Sequence, residues 1–383
     1  MQTMQPAIML GSYVWAQDRL PADEFAIRLD ALRTAMAQHD WTAMLVYGDV
    51  REHAALAYLT NYIPRIRWGL ALIPRDGEPR LLCAMSTRDL PAMRAMTWIA
   101  DVQSGWGAEW PNAFDPWLAR LAAERGGKFG TLGCDHMAVA LHETLLQSLG
   151  TRFSLHRADD WMAVPPPPKR PRELTMLRQA CKLVHDTANA FVASARASGA
   201  PETAALEAER VARSLAAQDV RTLVSLDGGR TLVPYQGHFD KTAGPLIGYL
   251  AVKVQGYWAD LFVTVDNPGS ARARTEQALD VLIAKMRPRG CAGDLYAVAL
   301  GALAPLRLHP VLSGSVGHGI GLSLDEQPQL CAGADATLVE DGVYSLQVGV
   351  ADADAGYALA SAIVRNGPNG AEVLVRSPGS TSS

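Results

Sequence analysis

Val316-Gly317-His318-Gly319-Ile320-Gly321-Leu322, followed by Glu326 and Pro328, is the stretch from which the fold is read. Glycine on both sides of the histidine lets the backbone fold tightly and leaves an imidazole facing a cavity. Gly317, Gly319 and Gly321 could also be read as a dinucleotide loop. Such a loop opens directly into a helix whose N-terminus holds the phosphates, whereas polar residues and Pro328 follow here, so that reading fails. Imidazole titrates nearer neutrality than any other side chain, which makes His318 the first candidate for moving a proton.

Upstream of this stretch, LIGYLAVKVQGYWADLFVTV (246–265) reads as two strands joined by a turn near Gln255-Gly256. TLVSLDGGRTLVP (222–234) reads as a further strand region. Residues 172–198 carry apolar positions at helical spacing, and Pro201-Glu202-Thr203 starts a second helix running to about Ala217. Helices are predicted again at 272–286 and 293–304, and GVYSLQVGV, YALASAIVR and EVLVR close the chain as strands. Helices followed by runs of strands point to an α+β domain and not to a parallel doubly wound sheet.

The sharpest boundary is Pro165 to Pro168 with Lys169, Arg170 and Pro171 behind it, a run restricted to extended chain. Before it, an amphipathic helix (22–39), the strand-like TAMLVYG and the pair WGLALIPRDGEPRLLCA, turning at Asp76-Gly77, describe a smaller α/β domain. The expected division is residues 1–164, a linker at 165–171, and 172–383. With 383 residues, 49% hydrophobic and 19% charged, the chain suits two globular domains. Its formal charge of -4 argues against a sequence-independent grip on nucleic acid. No apolar run approaches the roughly 18 residues of a membrane span, and no secretory signal is visible at the N-terminus. Five scattered cysteines suggest neither a disulfide framework nor a zinc knuckle, and are read as reduced thiols in a cytoplasmic protein.

The glycine-rich stretch, the hairpin end Gly256-Tyr257-Trp258-Ala259-Asp260 and the segment Ala57-Tyr58-Leu59-Thr60-Asn61-Tyr62 resemble, in order and spacing, motifs of the creatinase and aminopeptidase P family. The resemblance covers nearly the whole chain. It implies a C-terminal pita-bread domain behind a creatinase-type N-terminal domain, and a homodimer. Peptidase members hold two divalent ions with two aspartates, a histidine and two glutamates, several carboxylates being needed to neutralise two cations. Carried over position by position, the first aspartate falls at Tyr249 and the second at Asp260. The histidine is His318, and the two glutamates fall at Gln347 and Ala360. One carboxylate and one imidazole remain, which implies that no metal cofactor is held.

Creatinase is the branch of the family that works without metal, using a histidine on the loop before the hairpin. Here that loop reads Pro234-Tyr235-Gln236-Gly237-His238, and His238 is the nearest equivalent, with Tyr235 competing for the role. The carboxylates that grip guanidinium in creatinase fall at Phe262 and Gln347, so creatine is not the implied substrate. The expected pocket is aromatic and neutral (Tyr249, Trp258, Phe262, Gln347, Ala360), with His318 or His238 moving the proton and Asp260 orienting an imidazole. Glu326 matches the family's HE-x-P motif, although Asp325 stands where the histidine would be. Arg65 and Arg67, beside Trp68, suit a substrate carboxylate.

The expectation is therefore a metal-independent enzyme acting on a C–N bond of a small, carboxylate-bearing molecule, with hydrolysis ahead of elimination or isomerisation. General acid–base catalysis supplies about 10²–10⁴-fold, so positioning must supply much of the rate. Two other readings stand beside it: a non-catalytic binding module for a small molecule or peptide, and a single-metal Xaa-Pro-type peptidase.

Overall fold

The computed structural model describes residues 14–121, 127–163, 168–234, 244–265 and 270–378. The chain forms two compact units, Met1–Ala163 and Val164–Ser383.

In the first unit, α1 (Ala22–Gln38), β1 (Ala43–Asp49), α2 (Ala54–Thr60), β2 (Trp68–Pro74), β3 (Arg80–Cys83), α3 (Leu90–Met96) and β4 (Asp101–Ser104) are followed by α4 (Pro111–Leu121), β5 (Gly127–Leu132), α5 (Val139–Leu149), β6 (Phe153–Arg157) and α6 (Asp160–Ala163). Six strands make one mixed sheet in the order β4-β3-β2-β1-β5-β6. Alternate side chains of β1 serve opposite faces: Met44 and Val46 pack with Leu29, Leu32 and Leu56, whereas Leu45 and Tyr47 pack with Phe114 and Leu145. Gly77, at φ +114°, makes the predicted turn before β3. Asn61 ends α2 in the left-handed conformation at φ +61° and donates through Nδ2 to the Met96 carbonyl at 3.0 Å. The Ala57–Tyr62 motif thus ties two helix ends together.

The second unit runs α7 (Pro171–Ser198), α8 (Pro201–Ser214), β7 (Asp219–Val224), β8 (Val233–Pro234), β9 (Leu246–Val254), β10 (Tyr257–Val265), α9 (Ser270–Lys285) and α10 (Ala292–Leu303), then β11 (Ser315–Gly319), β12 (Glu326–Cys331), β13 (Val343–Asp352), β14 (Gly356–Gly367) and β15 (Gly370–Arg376). The strands form two antiparallel sheets, β10-β9-β7-β8 and β12-β11-β13-β14-β15. Gln255 and Gly256 both have positive φ (+47° and +89°), as a two-residue hairpin turn matching strand twist requires. Helix α8 ends earlier than the pattern predicted, because Ala216 turns at φ +64°. The predicted run 222–234 is split: Asp227 Oδ1 accepts the backbone N–H groups of Arg230 and Thr231, a local turn that outcompetes the ladder. Pro165 to Pro167 lie outside the described residues.

The two sheets meet along β10 and β14 through side chains. Phe262 N donates to Ser361 Oγ at 2.8 Å, Thr264 Oγ1 donates to the Leu359 carbonyl at 2.8 Å, and Ser377 Oγ donates to the Phe262 carbonyl at 2.6 Å. Helices α9 and α10 cover the opposite face of the five-stranded sheet, burying Leu279, Leu282, Leu295 and Leu303 against Leu346, Val348, Ala360 and Ala362. Among the described residues, no helix is long and apolar enough to cross a membrane.

His309 sits near this seam, 1% exposed. Its Nε2 donates to the Gly229 carbonyl at 2.7 Å while Nδ1 accepts from Val311 N at 3.2 Å, so both nitrogens are satisfied in one neutral tautomer. Burial holds its pKa below the ordinary value, against the opposing pull of Gly229 and Asp227. The unfolded chain therefore binds a proton that the folded chain refuses, between the depressed value and about 6.5, and stability rises with pH across that window. Melting curves at mildly acidic and neutral pH should show His309→Gln flattening this part of the pH slope. An unchanged slope would remove His309 from the account.

Candidate active site

The hairpin puts three cross-strand rows on one face of its sheet: Asp219–Lys253–Trp258, Arg221–Ala251–Asp260 and Leu223–Tyr249–Phe262. Asp260 is fully buried at the centre. Tyr249 Oη and Gln347 Nε2 both donate to Asp260 Oδ2, each at 3.1 Å. Gln347 Nε2 lies 3.1 Å from His318 Nε2 as well, and His318 Nδ1 faces the Gly319 carbonyl at 2.9 Å. A carbonyl only accepts, so the proton sits on Nδ1 and the Nε2 lone pair meets the amide. Tyr249, Asp260, Gln347 and His318 thus form one chain of hydrogen bonds.

Local backbone explains why the imidazole lands there. His318 pairs with Ser345 on β13, two residues from Gln347 and on the same face. A Cβ on Gly317 (φ +140°) would collide with the Ser345 carbonyl oxygen, and one on Gly319 would stand 2.5 Å from the Gln327 carbonyl oxygen. The flanking glycines are therefore needed for close strand approach. The β11–β12 register shifts on both sides of His318, a bulge that re-aims the side chain.

Burial raises the Asp260 pKa, opposed by the nearby His318, Ser345, Tyr249 and Gln347 side chains. Tyr249 is pushed well above its ordinary value, first by burial and then by Asp260. Phe262 packs 4.9 Å from the Tyr249 ring and, with Ile247, Leu312 and Leu359, forms an apolar wall. Lys253 Nζ at 4.4 Å and Arg221 Cζ at 4.6 Å both stand within cation–π range of the Trp258 ring centroid.

Several expectations change. Asp260 does not touch the imidazole, because the Gln347 amide stands between them. The nearest carboxylate to the ring is Asp325, with Oδ1 4.0 Å from His318 Nδ1. Ala360 faces away into the helix-covered core, and Ser361, opposite Gln347 in the ladder, lies on the site face. The pleat allows no other outcome for adjacent residues. The pocket is not neutral, since Arg221 and Lys253 share the face of Asp260. Glu326 is engaged by Lys169 Nζ at 2.6 Å and by Ser323 N at 3.2 Å, a brace for the turn at Gly321 more than a group open to substrate. Arg65 and Arg67 do not cluster on Trp68: Arg67 stacks on Trp106 with 3.5 Å from Cζ to the ring centroid, while Trp68 packs on Tyr47 and Trp110. Tyr235 and His238 lie outside the described residues. Arg221, Asp325 and Ser361 were missed by sequence reasoning. No signal along the chain marks Arg221 or Ser361, since each is related to Asp260 or Gln347 only through the pairing of separate strands.

A two-ion centre does not fit this donor set. Tyr249 and Gln347 direct hydrogens at the one carboxylate where a cation would need anionic oxygen. That leaves one carboxylate oxygen, Asp260 Oδ1, without a hydrogen-bond partner among the described residues, too few anionic oxygens for two cations. Among the described residues, no group of three or more His, Cys, Asp or Glu side chains is arranged to hold a metal ion.

Comparison with known proteins agrees with this architecture. The profile of metallopeptidase family M24 matches residues 175–370, just over half of the chain, and that of the creatinase/prolidase N-terminal domain matches residues 28–163. No curated protein matches. Among solved structures, a prolidase from Thermococcus sibiricus aligns with a TM-score of 0.76 at 16% identity, over 93% of this chain and 98% of its own. An X-Pro aminopeptidase from Thermotoga maritima aligns at 0.73 and 17% identity, over 92% and 98%. The N-terminal domain of FACT complex subunit SPT16 from Cicer arietinum aligns at 0.64 and 16% identity, over 94% and 95%. At such identities these likenesses speak for the fold, and the profile match speaks for the family. The chain belongs to metallopeptidase family M24, a hydrolase family, with a creatinase-type N-terminal domain ahead of its pita-bread domain.

Proposed function

We propose that this protein is a metal-independent hydrolase acting on a C–N bond of a small, carboxylate-bearing molecule. The observation that carries the reading is the Gln347 amide, 3.1 Å from both Asp260 Oδ2 and His318 Nε2. A neutral bridge there, with Tyr249 beside it, suits hydrogen bonding to a neutral acyl group and does nothing to balance two cations. In the proposed reaction the substrate carbonyl draws the Gln347 N–H toward itself, which frees the His318 Nε2 lone pair. That nitrogen takes a proton from water as its oxygen adds to the carbonyl carbon. The imidazolium then returns the proton to the leaving nitrogen as the C–N bond breaks, giving a carboxylic acid and an amine. Arg221, exposed and one strand removed from Asp260, is the cation best placed for the substrate carboxylate.

A second reading, a non-catalytic binding module, draws on one observation. Both His318 nitrogens are already engaged, and a base must have its lone pair free.

Assayed with chelator present on N-acyl and N-carbamoyl amino acids, His318→Ala should lower kcat by about 10²–10⁴-fold. Full activity in that variant would end the mechanism. Saturable binding with no turnover by the wild type would favour the binding module. Arg221→Met should raise KM by about tenfold with little change in kcat, the loss expected of one charged contact made equally in ground and transition states. A lowered kcat with unchanged KM would move Arg221 into the chemistry instead.

Metal content offers an independent check. Elemental analysis after dialysis against Mn²⁺ or Co²⁺ should find no stoichiometric ion on the wild type. The double variant Tyr249→Asp, Gln347→Glu, which restores two carboxylates beside Asp260 and His318, should bind Co²⁺ at least about tenfold more tightly. Two equivalents of ion on the wild type would overturn the reading.

A further inference from the structure

The turn at Pro310–Leu312, between α10 and β11, is capped by the His309 imidazole. Val311 N donates to His309 Nδ1 at 3.2 Å, and Leu312 N donates to the His309 carbonyl at 3.1 Å. His309 N donates in turn to the Gly349 carbonyl of β13 at 2.9 Å. Pro310 brings no N–H, and Ser313 leaves the turn in the left-handed conformation at φ +49°, uncommon for a residue with a Cβ. A turn of this length does not persist by itself, so it depends on the ring that caps it.

The surrounding backbone makes room for that ring. A Cβ on Gly349 would stand 3.0 Å from His309 Cβ, and one on Gly229 (φ +97°) would stand 2.8 Å from Tyr357 Cβ. Gly349 thus lets His309 lie against β13, and Gly229 lets its own carbonyl meet Nε2 at 2.7 Å. Val311 and Leu312 ride on the capped turn. Both pack in the apolar cluster of Ile247, Phe262 and Leu359, against which Tyr249 also lies. The imidazole is therefore coupled to one wall of the candidate site.

We propose that His309 is an acid-sensitive latch on that wall: neutral Nδ1 holds the Pro310–Leu312 turn closed, and protonation releases the turn and draws Val311 and Leu312 away from Phe262. An imidazolium carries N–H on both nitrogens and has no lone pair for Val311 N. Its bond to the Gly229 carbonyl survives and strengthens, so the opening is confined to the turn. Burial disfavours the cation, whereas Asp227, on the loop that carries Gly229, favours it. Tyr357 of β14 meets the ring edge-on at 6.1 Å, with Arg230 Nε 3.3 Å from its hydroxyl, and β13 presents Gly349. Arg307, two residues before the ring, is exposed. Burial keeps the imidazole neutral at neutral pH, so the latch is closed there and opens as pH falls through the depressed value. Its sensor is outside the hydrogen-bonded chain around Asp260, and the latch stands whether or not that chain is catalytic.

Hydrogen exchange of the full chain, read by mass spectrometry and corrected for intrinsic exchange, tests it between neutral pH and about pH 4.5, roughly two units below an ordinary imidazole. In the wild type, protection of residues 311–313 should fall at least about tenfold across this range while that of the β13 and β14 amides holds. His309→Gln, whose amide donates to Gly229 and accepts from Val311 at every pH, should keep the turn protected throughout. His309→Ala should leave it unprotected throughout. An anilinonaphthalene sulfonate dye should gain fluorescence on the acidified wild type and not on His309→Gln. Unchanged protection in the wild type, a loss shared equally by β13 and β14, or the same acid response in His309→Gln would overturn the proposal. The wild-type profile suffices for the first two outcomes, so a variant that fails to fold leaves the test intact.

Discussion

A carboxylate buried among hydrogen-bond donors is the constraint around which the second unit is organised. Asp260 is removed from water, and an isolated buried charge of that kind is expensive unless protons or positive charge are brought to it. Here the compensation is made of hydrogens. Tyr249 and Gln347 converge on one oxygen, and burial shifts the acid toward its neutral form. Both donors are available only because β9, β10 and β13 present the same pleat face to one point, and that depends on the hairpin turn at Gln255-Gly256. It depends equally on the seam where Ser361, Thr264 and Ser377 stitch β10 to β14. Moving either sheet by one residue would turn these side chains outward.

The hydrogen-bonded chain also sets what His318 can do. Its Nδ1–H is committed to the Gly319 carbonyl, so any chemistry must run through Nε2, which faces an amide and not an acid. Asp325 stands near the ring but is largely exposed, so its field at the imidazole is screened by water. Orientation comes from backbone and glycine packing more than from a partner carboxylate. The arrangement differs from a Ser-His-Asp triad in that respect, because there the acid touches the ring directly.

Much of this was readable in the residues, and the failures have definite causes. The two-residue turn, the proline- and glycine-bounded helices and the flanking glycines of His318 are local signals, and the structure follows them. Asp260, His318, Gln347 and Tyr249 do converge, because the spacing of a hairpin and a ladder transfers from one chain to another. The position taken as Ala360 failed by one residue: at a place where the side chains have become alanine and serine, no chemical landmark fixes the register, and only the ladder shows that Ser361 faces the site. Arg221 escaped because it shares a cross-strand row with Asp260 only through Ala251 of β9, and stands 39 positions away along the chain. Beyond the β2–β3 pair, the sheet order of the first unit, β4-β3-β2-β1-β5-β6, was likewise illegible, since helices separate the other strands whatever their order.

The core of the second unit does not depend on the site face. The apolar contacts that hold the five-stranded sheet lie on its other face, against α9 and α10, and Ala360 and Val348 belong to them. On the site face, carboxylates and cations must be lost together. Removing cations while three or four acids stay buried leaves like charges unbalanced, and breaking a buried pair typically costs about 3–5 kcal/mol. Tyr249 and Gln347, where the family resemblance places acids, add no such repulsion and supply hydrogens to Asp260. Asp260 is then tolerated as a hydrogen-bond acceptor, and the same two side chains that do not suit a cation pair are the ones that satisfy the buried acid.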